Sequence, residues 1–224
     1  MENYEGQRYM RFISLLSVFV LIGMVPIAKS DISKEVIYKE HFNVEKFNRL
    51  QKNGVWIQTL PDGTTLQQRK NTPQGFIEEK ITKNSPYIYR KAFDANGNLI
   101  GVSTEFYSFP VGVSILYDSQ GKVVREDNHD NDFNFSVENL ADKMNKEFGI
   151  NIMNSNNVIN IVRGIESEHI KGPIYIIYVH IKDKPSYIRN YLINGRTGSI
   201  LFVLDNSEEE PKSVINEYLN TRKN

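Results

Sequence analysis

The densest run of groups able to hold a metal or move a proton is Asp127-Asn128-His129-Asp130-Asn131-Asp132. Carboxylates and amides are the hard oxygen donors that calcium takes, but no aspartate here can be counted first to give the EF-hand pairing of glycine at the sixth position with glutamate at the twelfth. His129 adds an imidazole that could act as a base, so an envelope hydrolase or glycan-binding protein using the Asp127–Asp132 cluster is the alternative reading of this chain. The other histidines, His41, His169 and His180, do not form H-E-x-x-H with it, the spacing that would put two imidazoles on one helical face for zinc. No G-x-S-x-G occurs, and there is no cysteine, which removes thiol nucleophiles, sulfur-ligated zinc and disulfides together. Glu78-Glu79 lies on a predicted strand, where neighbours face opposite sides and cannot share one glycosidic bond. The expectation is a non-enzymatic chain with no catalytic residue, no cofactor and no metal, and with the Asp127–Asp132 run as a solvated connector.

Aromatic residues are the better candidates for recognition, with 12 tyrosines and 12 phenylalanines in 224 residues. They concentrate in "YIYRKAF" and "TEFYSFP", where strand alternation puts Tyr87 and Tyr89 on one face and sets Thr104 and Phe106 opposite Glu105 and Tyr107. Tyr87, Tyr89, Phe106 and Tyr107 are therefore the candidate partner-binding residues, since aromatics give rigid contact area at protein interfaces. Lysine plus arginine balances aspartate plus glutamate at 27 each, so no overall field draws the chain to a nucleic acid.

Those residues sit in a chain that opens with an export pattern. Arg8 and Arg11 precede the apolar run Phe12 to Ala28, and Ala28 and Ser30 stand at the minus three and minus one positions of a cut that would leave Asp31 first. Residues 1–30 are read as a signal peptide and the product as periplasmic or secreted, with no membrane insertion after cleavage. The alternative is an N-terminal anchor in the inner membrane, for which an apolar run interrupted by Gly23 and Pro26 is short; a buried core helix is the third possibility.

From residue 31 to 128 the pattern is β-rich. A short strand is expected at Val36 to Tyr38, then a helix capped by Asn43 with Val44, Phe47 and Leu50 on one side and Gly54 as its stop, then a strand in "VWIQTL" closed by Pro61-Asp62-Gly63. "GFIEEKI", "YIYRKAF", "LIGVSTEFY", "VGVSILY" and "KVVRED" follow as an antiparallel meander, punctuated by Asn84-Ser85-Pro86, Ala95-Asn96-Gly97, Phe109-Pro110 and Ser119-Gln120-Gly121. Within it Phe93-Asp94-Ala95-Asn96-Gly97-Asn98-Leu99-Ile100 repeats 24 residues later as Tyr117-Asp118-Ser119-Gln120-Gly121-Lys122-Val123-Val124. Each D-x-x-G predicts a hairpin turn, with aspartate bonding the local backbone and glycine in a left-handed conformation. The pattern resembles the MORN-like YDxxGxL repeats of antitoxin-type proteins, with Leu60-Pro61-Asp62-Gly63 as a degenerate copy.

Residues 129–206 read differently. Ser136 caps a helix with Val137, Leu140, Ala141, Met144 and Phe148 on one face and Gly149 as its stop, and strands follow in "VINIVRG", "PIYIIYVHI", "SYIRNYLI" and "SILFVL". A helix followed by antiparallel strands and closed by Arg196-Thr197-Gly198-Ser199-Ile200 resembles a PepSY-type domain. Residues 207–224 form a terminal helix and tail, with Glu208, Glu209 and Glu210 ahead of Pro211 expected to complement the dipole, and Val214, Ile215 and Tyr218 as an apolar face for docking on its own domain or on a partner.

The expected fold class is therefore α+β, an antiparallel β-hairpin meander followed by a PepSY-like helix on an antiparallel sheet. PepSY-type domains are linked to restraint of secreted hydrolases and MORN-like hairpins recur in immunity proteins. The two resemblances imply an exported bacterial immunity or inhibitor protein that neutralises a cognate protein toxin or lytic effector in the cell envelope.

Overall fold

Seven strands pair in sequence order, each antiparallel to the next: β1 (Val55–Thr59), β2 (Thr65–Asn71), β3 (Gly75–Ile81), β4 (Tyr87–Phe93), β5 (Leu99–Phe106), β6 (Phe109–Tyr117) and β7 (Val123–Asn128). Four more, β8 (Asn160–Glu166), β9 (Gly172–Ile181), β10 (Lys184–Asn194) and β11 (Ile200–Ser207), form a second antiparallel sheet in the order β11-β10-β9-β8. The α-helices among the described residues are α1 (Val44–Leu50), α2 (Val137–Phe148) and α3 (Val214–Thr221), which makes the fold broadly α+β. The computed structural model describes residues 40–71 and 75–223, and these belong to one unit, Val36–Asn224. The apolar run Phe12 to Ala28 and the expected strand at Val36 to Tyr38 lie outside the described residues. No helix among the described residues is long and apolar enough to cross a membrane.

The internal repeat is a pair of matching turns. Asp94 Oδ1 accepts from the amides of Asn96 and Asn98, and Asp118 Oδ1 accepts from those of Gln120 and Lys122. Gly97 donates to the Asp94 carbonyl and Gly121 to that of Asp118, both at 3.0 Å, with φ of 89° and 81°. Both turns stand at the same end of the meander, joining β4 to β5 and β6 to β7. The flanking Phe93, Leu99 and Tyr117, with Val123, all feed one cluster with Phe76 and with Phe42 and Phe47 from the α1 segment. What the repetition gains is a pair of equivalent corners that deliver aromatic and aliphatic side chains to the helix covering that end of the sheet. Leu60-Pro61-Asp62-Gly63 makes the same backbone turn, with Gly63 at φ 80° donating to the Leu60 carbonyl at 2.9 Å, but joins β1 to β2 at the opposite end.

Alanine at Gly97 or Gly121 forces a side chain into a left-handed position, at a cost of about 1 kcal/mol or more. Gly97→Ala should cost more than that minimum, since its Cβ would stand 2.7 Å from the Phe42 carbonyl oxygen. Thermal melts of the two variants test this, and wild-type melting in both would remove the turn assignment.

Four points differ from expectation. α1 stops at Leu50 with Gln51 as its cap, so Gly54 is not its stop. β2 was not anticipated, because "TLQQRKN" is polar; it forms because both its edges are hydrogen bonded, to β1 and to β3. Phe109-Pro110 is strand, not turn: Phe106 pairs with Phe109 around a loop of Tyr107 and Ser108, with Tyr107 at φ 54°. Proline is tolerated there because its nitrogen points away from β5 on the side where β7 has already ended, its pairing with β6 stopping at Val113 and Asn128. Glu208, Glu209 and Glu210 precede α3 rather than occupying its first turn, which is capped by Ser213 and carries Glu217.

The second sheet is covered on both faces. Tyr175, Ile177, Val179, Tyr191 and Ile193 meet Leu140 and Met144 of α2, and Ile174, Ile176 and Leu192 on the other face meet Val214 and Tyr218 of α3. The terminal helix thus docks on its own sheet. α2 runs as expected from its Ser136 cap to Gly149 at φ 67°, although Phe148 stays 37% exposed against Tyr191. The β5–β6 hairpin inserts Phe106, Tyr107, Phe109 and Val111 into the same core as α2, so the meander and the second sheet share one hydrophobic interior.

Candidate functional site

The four candidate aromatics form one chain of rings. Tyr89 stacks on Tyr87 with centroids 6.4 Å apart, Tyr87 meets the Phe106 edge at 5.0 Å, and Phe106 meets Tyr107 at 5.0 Å. Only Tyr89 and Tyr87 reach the surface. Tyr89 is 52% exposed and Tyr87 half-buried, whereas Phe106 is 0% and Tyr107 9% exposed. Phe106 and Tyr107 therefore offer no surface to a partner, which corrects their assignment as anchors. The left-handed Tyr107 backbone turns its ring inward, where the hydroxyl donates to the Ile152 carbonyl at 2.8 Å and burial raises its pKa.

Tyr87 borders a cleft of about 230 Å³ between β4–β6 and the start of α2, floored by Val111 and Val137 and edged by Thr104, Gly112, Asp130 and Glu138. The Tyr87 hydroxyl lies 3.4 Å from Glu138 Oε1, and burial, with the Glu138 charge adding, pushes its pKa up to about 12. Its backbone amide donates to Ser85 Oγ. The ring is thus held by contacts with Phe106, Tyr89 and Glu138. Glu138 and Gly112, with its φ of 64°, were not singled out as site residues in the sequence. The usable signal was a glycine inside the β-prone run "VGVSILY", which marks an irregular strand.

The Asp127–Asp132 run divides. Asn131 and Asp132 are exposed, as a connector should be, but His129 and Asp130 are partly buried and bonded into the fold. Asp130 accepts from the Gly112 amide at 2.8 Å and from Arg163 Nη1 at 2.7 Å. Arg163 also donates to the carbonyls of Pro110 and His129, and its guanidinium lies over Phe109 at 4.7 Å and Phe133 at 4.5 Å. His129 Nε2 is 2.8 Å from Ser114 Oγ. Burial, helped by Arg163 and Arg125 and opposed by Asp127 and Asp130, lowers the His129 pKa and so favours the neutral ring. No group of three or more metal-ligating side chains is found among the described residues.

Glu78 and Glu79 do face opposite sides: Glu78 accepts from Gln68 Nε2, while Glu79, 6% exposed, holds Arg90, which also pairs with Glu105 at 2.6 Å. They are structural ties between β2, β3, β4 and β5.

No family model, curated protein or solved structure matches this chain.

Proposed function

We propose that the chain is an exported, non-enzymatic binding protein that neutralises a cognate toxin or lytic effector in the cell envelope by covering it. The observation that carries the binding part is the Tyr87–Tyr89 stack, a preorganised amphipathic aromatic surface beside a cleft. Such rigid rings lose little entropy on docking, which is what concentrates binding energy in a few tyrosines. The toxin class rests on the MORN-like resemblance of the paired D-x-x-G turns and the PepSY-like resemblance of the helix and second sheet, and export rests on the Arg8 to Ser30 pattern.

Co-expression in the envelope with the product of the adjacent gene tests the reading: the wild-type chain should restore growth and co-purify with that product. An adjacent product that is not toxic, or absence of both protection and complex, ends it. A second reading, a hydrolase built around His129, has the Ser114–His129 hydrogen bond in its favour, since a neutral imidazole at 2.8 Å can take a hydroxyl proton. In the same purified protein a serine-directed phosphonate would label Ser114 on that reading and leave it unlabelled on ours.

A further inference from the structure

From the walls of the cleft we infer the chemistry of what enters it: a cationic side chain, arginine above all, presented by the partner protein. This inference rests on the reading of the Tyr87–Tyr89 face as the binding surface. The cleft's 230 Å³ is below the roughly 300–1,000 Å³ of sites that enclose whole small molecules, and suits one side chain. Its floor of Val111 and Val137 matches an aliphatic stem. Tyr87 lines the cleft with Tyr89 stacked beside it, and aromatic rings attract guanidinium groups.

Charge decides between an arginine and an apolar anchor. Asp130 is already neutralised by Arg163, but Glu138 makes no ion pair among the described residues, and its carboxylate edges the cleft with only the long 3.4 Å hydrogen bond from Tyr87. Lys80, the cation paired with Tyr89 across the sheet, stands on β3, on the other side of β4 from the cleft. Glu138 is exposed at the rim, so an apolar side chain seated here would leave its charge unused, whereas a guanidinium would give it a charge-assisted hydrogen bond.

The test uses the full chain and a blocked arginine amide as probe, followed by amide resonances in nuclear magnetic resonance. Saturable shifts at Thr104, Gly112 and Glu138 are expected with arginine and not with blocked citrulline, the neutral isostere, and Glu138→Gln should weaken arginine binding about tenfold. Equal binding of citrulline, no saturable shift with arginine, or undiminished binding by Glu138→Gln each overturns the inference. The outcome is separable from the function itself. Protection without arginine binding removes this inference alone, and arginine binding without protection removes the toxin reading alone.

Discussion

Replacing Arg163 with methionine should lower stability by about 2–3 kcal/mol, the scale of leaving polar groups of the interior without their donor. The side chain is 5% exposed and lies where the meander, the Asp127–Asp132 run and the second sheet meet. Methionine keeps most of the volume between Phe109 and Phe133 but leaves the Pro110 and His129 carbonyls without their donor. Lysine retains charge without the planar fork, so it should recover only part of the loss. Asp130→Asn should be milder, because the Asp130 side chain is 42% exposed and an amide oxygen can still accept from Gly112. Urea denaturation measures all three. A methionine variant within about 1 kcal/mol of wild type would show that the guanidinium is dispensable to the shared core.

Arg163 also marks where sequence reasoning stops. Its position on "VINIVRG" identifies a strand, and strand identity needs only local periodicity, which is why β1, β3 to β11 and the α2 helix with both its caps could be read from residue order. The D-x-x-G corners were legible for the same reason, since every hydrogen bond that makes them lies within five residues. β2 was not, because Gln67, Gln68, Arg69 and Lys70 carry no apolar alternation and are held by neighbours on both sides. The Phe109-Pro110 turn was misplaced because a proline at a strand start depends on where a different strand, β7, ends. At the site, alternation correctly put Tyr87 and Tyr89 on one face. It could not say that Phe106 would be buried in the core shared with α2 and Tyr89 left open, since that core joins residues far apart in the chain.

That difference in burial gives the second large effect. Tyr89→Ala should weaken the complex with the cognate effector by about 2 kcal/mol, about 30-fold in Kd, the size typical of an aromatic hot spot. Its folding stability should stay within about 0.5 kcal/mol of wild type, because the residue is 52% exposed. Phe106→Ala should do the reverse. It empties a fully buried site between Tyr87, Tyr107 and Phe109 and should cost about 3–5 kcal/mol of folding stability. Any loss of protection in that variant should then be matched by loss of folded protein. Tyr107→Phe separates the two further: the ring stays, the hydrogen bond to Ile152 goes, and about 1 kcal/mol of stability should go with it while affinity is kept. Growth protection, complex affinity and melting measured on the same three variants give each a different signature. Full affinity in Tyr89→Ala would move the binding surface off this face, and reduced affinity in a fully folded Phe106→Ala would mean that the covered rings become exposed when the partner binds.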